Sequence, residues 1–338
     1  MKFFGVWIKI MARFRSFWPA TTPDTFSLAQ PERRLRVAAA VLLAAVLPAA
    51  AGGCGDGGPV TSADYAAEVD AWHAGRIDRL TAPDGWLTLV GLHELSPGEH
   101  TVGSRSDAAV VLPADAPADL GTLEVNEQEV LLRAAPGAEV TANGMPLAGG
   151  AVTALASDAG AEPTVVRTGS VSFHVIDRGG RRFLRVRDSE SSVRRGFEGV
   201  ERFPVDIRWR VEAQLVPDAE PRSVEMPNVL GQVDREPTPG TLVFELEGRR
   251  CELTPVGETG QPLFIVFADA TSGQTTYAGG RFLSAPAPDA EGRVVLDFNR
   301  ATNPPCVFTP YATCPLPPPE NRLPVAVTAG EKMWGDHH

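Results

Sequence analysis

Between residues 207 and 215 apolar and charged positions alternate without a break. Ile207, Trp209, Val211, Ala213 and Leu215 point one way, and Arg208, Arg210, Glu212 and Gln214 the other. That period belongs to a strand with one buried and one wet face, paired antiparallel with its neighbours. A second pattern, the uninterrupted apolar run at 263–267, predicts a strand buried on both faces, ending in a turn at Asp269-Ala270-Thr271-Ser272-Gly273. Shorter strands are predicted at 87–92, 109–112, 120–125, 130–133 and 163–166. Hairpins are predicted at 171–176 with 182–187, about Asp177-Arg178-Gly179-Gly180, and at 242–246 with 251–254. One segment has helical spacing instead: Tyr65, Val69, Trp72, Ile77 and Leu80 share a face over 65–80, Ser62 or Asp64 can cap it, and Pro83-Asp84-Gly85 stops it. The sequence therefore predicts a mainly β chain with one N-terminal helix. The helix spans 64–82, a sandwich 83–190 and a second antiparallel β domain 200–332, with a polar connection at 188–199.

The stretch 294–332 stands apart. Predicted strands at 294–298 and 323–328 bracket a loop with seven prolines from Pro304 to Pro319, two cysteines, and Asn299, Asn303 and Asn321. Repeated fixing of φ predicts an ordered loop, and ordered long loops are commonly functional. Asp297, Asn299, Asn303 and Asn321 could gather with Asp269, Tyr277 and Arg281 if their strands are neighbours. Two carboxylates among amides and an arginine suit general acid–base chemistry, with Asp269 and Asp297 as the candidates. Tyr277, Arg281 and the three asparagines would equally suit a polar ligand. The structural alternative is that the Asn and Asp residues cap turns while Arg281 pairs with a carboxylate to hold the loop.

Composition adds an address. Arg33, Arg34 and Arg36 precede the apolar run 37–51, and small residues follow, the order of a secretory signal over 1–53. Ala51-Gly52-Gly53-Cys54 resembles the bacterial lipobox, which makes Cys54 the expected lipidation point and 54–63 a tether; ordinary cleavage near Ala51 is the alternative. The expected location is the bacterial cell envelope, lipid-anchored and extracytoplasmic, with the membrane reached through palmitate-type acyl chains. The net charge is −11 at pH 7, and the leader carries seven basic against two acidic residues, so its removal leaves a still more acidic chain. Nucleic acid is therefore not expected as a partner; a small polar ligand or an envelope protein is.

Standard catalytic and nucleotide-binding motifs are absent, and His73, His93, His100 and His174 lack metal-ligand spacing, so neither metal nor cofactor is expected. In an oxidising compartment Cys306 and Cys314 are the economical disulfide, stapling the proline-rich loop, with Cys251 left as a buried thiol. A redox-active pair is the sharper reading of the same two residues.

Two resemblances bear on this picture. His100-Thr101-Val102-Gly103-Ser104, Val110-Val111-Leu112-Pro113 and Val140-Thr141-Ala142-Asn143-Gly144 look like the strand and loop order of a forkhead-associated (FHA-like) β-sandwich over 98–187. The serine and histidine with which that family reads phosphopeptides have no counterpart between Asp119 and Glu129, so phosphothreonine reading is not implied. Asp84-Gly85-Trp86-Leu87, Phe203-Pro204-Val205-Asp206, Gly280-Arg281-Phe282-Leu283, Asn303-Pro304-Pro305-Cys306 and Gly330-Glu331-Lys332 resemble the bacterial and archaeal domain of unknown function 1684, over about 70–332. That resemblance implies no activity. The expected function is a binding module sited at the Cys306/Cys314 loop, with a small hydrolase using Asp269 and Asp297 second and a thiol redox protein third.

Overall fold

Helix α1 (Ser62–Thr81) buries Tyr65, Val69, Arg76 and Leu80, a single stripe at helical spacing with one cation set among apolar side chains. The computed structural model describes residues 62–160 and 162–335. The leader, Cys54, most of the tether, and His337 and His338 lie outside them.

The first half is a sandwich. One sheet has the order β3 (Val110–Val111), β2 (Gly98–Gly103), β4 (Gly121–Val125), β5 (Val130–Ala134), β8 (Val152–Ala154). The other runs β1 (Leu89–Glu94), β11 (Arg181–Asp188), β10 (Val171–Arg178), β9 (Val166–Thr168), β6 (Val140–Ala142), β7 (Met145–Leu147). Pairing is antiparallel except between β2 and β3. Leu123, Leu132, Val140, Phe173, Leu184 and Val186 fill the space between the sheets. The β10–β11 hairpin turns on Gly179 and Gly180 at φ +57 and +75, the left-handed pair a two-residue turn demands. The connection at 188–199 holds a short helix, α2 (Ser192–Arg195), whose cap Ser191 accepts from the Arg194 N–H.

The second half is a four-stranded antiparallel sheet ordered β14 (Arg249–Leu253), β13 (Val233–Leu246), β12 (Arg210–Pro227), β17 (Arg293–Asp297), with the pair β15 (Leu263–Phe267) and β16 (Arg281–Ala285). All of β15 is buried because its two faces serve two clusters. Leu263, Ile265 and Phe267 join Trp209, Leu242, Phe244 and Leu296, while Phe264 and Val266 join Leu89, Val224, Met226 and Cys314. The latter cluster is the seam, since Leu89 comes from the sandwich. A fourth cluster fastens the helix to the proline-rich loop through Leu80, Leu87, Val307 and Phe308.

Two sequence expectations change here. Ile207 is 48% exposed and belongs to a 3-10 turn, Ile207–Trp209, so the strand begins only at Arg210. The Asp206 carboxylate, accepting from the Arg208 N–H, ends the alternation early. Residues 323–328 form no strand. They keep strand-like alternation of burial, and Leu323 and Val325 bond Ala268 and Ala270, but the Val327 and Ala329 carbonyls are taken by the Arg281 side chain.

Candidate functional site

Arg281 opens β16 directly after Gly280, whose φ is +85; a Cβ there would lie 2.5 Å from the Phe267 carbonyl oxygen. Only glycine lets the chain enter the strand so close to β15. The guanidinium is fully buried. Its Nη2 donates to Asp269 Oδ2 at 2.8 Å and to the Val327 carbonyl at 2.9 Å, and Nη1 donates to the Ala329 carbonyl. It lies over the Phe267 ring, 5.3 Å from the centroid. Burial pulls the Arg281 pKa down, and Asp269 opposes that pull. Asp269 is equally committed: Oδ1 accepts from the Thr271 N–H at 2.8 Å, the Thr271 hydroxyl at 2.6 Å and the Val327 N–H at 3.2 Å. A carboxylate that holds four donors and whose side chain is shut off from solvent is not open to a substrate.

Asp297 belongs to a separate network. Tyr65 of α1 donates to Asp297 Oδ1 at 2.6 Å, and Asn299 Nδ2 reaches the Tyr65 hydroxyl and the Asp206 carbonyl, each at 2.9 Å. Arg300 pairs with the other Asp297 oxygen at 3.1 Å. Burial, then Asp297, raises the Tyr65 pKa, so the phenol stays a donor.

Asn303 sits in a third network with Arg76 and Glu331, two residues outside the expected set. Arg76 of α1 donates to the Asn303 carbonyl at 3.0 Å and pairs with Glu331 at 3.3 Å; Glu331 in turn accepts from the Asn303 N–H at 2.6 Å. The Asn303 amide donates to the Lys332 carbonyl at 2.6 Å, while its Oδ1 is buried without a hydrogen-bond partner. Asn321 works elsewhere again. It accepts from the Thr254 N–H at 2.7 Å and donates to the Thr254 and Val266 carbonyls at 2.9 Å, stitching the loop to β14 and β15.

The remaining pair is Cys306 and Cys314. The expected bridge is not closed: both are free thiols. The Cys306 N–H donates to Cys314 Sγ at 3.1 Å, and Cys306 Sγ donates to the Tyr277 hydroxyl at 3.7 Å. Cys306 and Tyr277 are half-buried, whereas Cys314 is buried at 3% exposure. Their acidities diverge. A hydrogen bond from Cys314 holds the Cys306 thiol below its ordinary value against the effect of burial, and burial followed by Cys306 pushes Cys314 well above. Burial and the neighbouring Cys306 raise Tyr277, keeping it protonated.

The family model described as "Protein of unknown function (DUF1684)" matches residues 195–332. A solution NMR structure of an uncharacterised protein from Haloarcula marismortui is 35% identical, covering 41% of this chain and 78% of that one, with a TM-score of 0.35. The chain belongs to the DUF1684 family. No curated protein matches it. Neither finding bears on the FHA-like resemblance. The span matched to DUF1684 contains Asp269, Tyr277, Arg281, Asp297, both loop cysteines and Glu331, but Tyr65 and Arg76 fall before it.

The candidate residues of this DUF1684 protein thus fall into distinct networks. Asp269 meets Arg281, Tyr277 meets Cys306, Asp297 meets Asn299, and Asn303 and Asn321 hold separate positions. Tyr65, Arg76 and Glu331 were legible only as helix-face and terminal residues; the signal available for Arg76 was its place on the apolar stripe of a helix. An open groove of 660 Å³ on the β12–β13 arm, lined by Asp218, Arg222, Glu225 and Arg235 among others, shares none of these residues, and its arginines already pair with its acids. Among the described residues no group of three or more His, Cys, Asp or Glu could hold a metal ion, and no helix is long and apolar enough to cross a membrane.

Proposed function

We propose that this DUF1684 protein is an exported thiol–disulfide protein, held at the bacterial envelope by lipid on Cys54, with Cys306 and Cys314 as its working pair. The carrying observation is geometric: the Cys306 backbone N–H donates to Cys314 Sγ, and half-buried Cys306 Sγ contacts the Tyr277 hydroxyl while Cys314 is buried behind it. Environments that push a pair apart divide the roles between nucleophile and reserve. The sequence spacing is wider than the usual dithiol motif, but the loop places Cys314 Sγ 3.1 Å from the Cys306 backbone nitrogen.

The co-reactant is a disulfide of another exported protein. The Cys306 thiolate attacks one sulfur of that disulfide, forming a mixed disulfide and releasing the second sulfur as a thiolate. Cys314, once deprotonated, attacks Cys306 Sγ and releases the other partner thiolate. The partner gains two electrons and two protons, and the pair is left as one disulfide. Tyr277, kept protonated, donates to the Cys306 thiolate.

The hydrolase reading loses its support because Asp269 and Asp297 are engaged in different internal networks. A binding module for a small polar ligand or an envelope protein is favoured by one atom, the unpartnered Asn303 Oδ1. Equilibration of the full chain in graded ratios of reduced and oxidised glutathione, followed by acid quench and alkylation, tests the thiol reading. A reversible two-electron step that Cys306→Ser removes is expected. A pair that stays in one redox state across the whole series contradicts it.

A further inference from the structure

The face of β10 and β11 turned toward the second half carries two arginines, Arg185 and Arg187, with no direct ion pair among the described residues, although Asp158 and Asp84 act on them from farther off. Arg185 is 5% exposed, its Nη2 donates to the Thr313 hydroxyl at 3.2 Å, and its Nε is buried without a partner. Arg187, half-buried on the same strand face, donates through Nη1 to the Asp84 carbonyl, to the Gly85 carbonyl at 2.9 Å and toward the Thr88 hydroxyl at 3.4 Å. Both guanidiniums lie over the Trp86 ring, 5.6 and 5.7 Å from its centroid. Among the described residues neither forms an ion pair with a carboxylate. The nearby Arg178 differs, because Asp158 pairs with it at 2.7 Å.

An uncompensated buried cation is costly, and an aromatic face offsets only part of that cost. We propose that this seam holds a small tetrahedral oxyanion, of the sulfate or phosphate class, gripped by Arg185 and Arg187. The fork of donors on a guanidinium matches such an anion, and Arg185 has spent only one hydrogen bond on the described residues. The cross-strand partners face the same way: His174 stands opposite Arg185 and Ser172 opposite Arg187. Burial and the two arginines lower His174 to about 3, so it is neutral and adds no competing charge. Burial lowers Arg185 to about 9 and Arg187 to about 10, and both remain cations at neutral pH. Arg187 forms the wet edge of the site.

The inference does not rest on the thiol reading. Its test is calorimetric titration of the full chain with sodium sulfate, sodium phosphate and sodium chloride at constant ionic strength. Saturable binding of sulfate or phosphate, absent with chloride, is expected. Arg185→Met should weaken it at least about tenfold, a change that loss of one charge-assisted hydrogen bond suffices to produce, while leaving the far-ultraviolet circular dichroism unchanged. Should Arg185→Met not fold, Arg187→Gln reads the same loss from the exposed edge. Equal responses to chloride and sulfate, or undiminished sulfate binding in Arg187→Gln, would overturn the proposal.

Discussion

Arg281 and Asp269 meet at 2.8 Å with neither side chain exposed to solvent, and together they tie β16, the turn after β15 and the extended segment near Val327. A buried pair of this kind is weak evidence of net stability, but breaking it strands a charge. Arg281→Met should therefore destabilise the fold by about 3–5 kcal/mol in chemical denaturation. The double variant with Asp269→Leu should recover part of that loss. Additive single costs would mean that the two side chains are not coupled.

Tyr65 anchors α1 to the second half through Asp297. Tyr65→Phe removes one buried donor and leaves the ring, so a loss of about 1–3 kcal/mol is expected, with protease cleavage appearing first within 62–81. An unchanged denaturation midpoint would show that the tyrosine hydroxyl contributes nothing there.

The buried histidine predicts an acid sensitivity of definite sign. In the unfolded chain His174 takes up a proton near 6.5, whereas the fold holds it to about 3. Between those values the unfolded state binds more protons, so stability is intact above 6.5 and falls as pH drops toward 3. His73 and His93 are lowered by burial as well and add to the same slope. The urea midpoint of His174→Gln should fall less steeply over this range than that of the parent. Parallel curves would remove His174 from the account.

The proposed anchor makes its own prediction. The parent should partition into the detergent phase on export, and Cys54→Ser should move it to the aqueous phase with no change in melting temperature. Equal partitioning of both would exclude lipid on Cys54.

Elements with strong local patterning were legible in the sequence: the helix around Tyr65 and Leu80, the β10–β11 hairpin, and the doubly buried β15. Ile207 was not, because a polar cap at Asp206 outweighed an alternation that otherwise extended through it. The segment after Leu323 reads as a strand but lends two carbonyls to Arg281, a side chain more than forty residues away. The density of special residues within the proline-rich loop was visible; which residue answers which was not. Pairings such as Arg76 with Glu331 arise from packing between chain ends, and no local pattern encodes them. The structural alternative raised for Arg281, that it pairs with a carboxylate to hold the loop, describes what its side chain does.

The division of roles between Cys306 and Cys314 is tested most directly by trapping. Each single serine variant of the full chain is exposed to oxidised glutathione near neutral pH, and its adduct is followed by intact mass. Cys314→Ser should accumulate one glutathione on Cys306 quickly, whereas Cys306→Ser should leave Cys314 largely unmodified. Equal rates at the two cysteines, or no adduct on Cys306, would contradict the account.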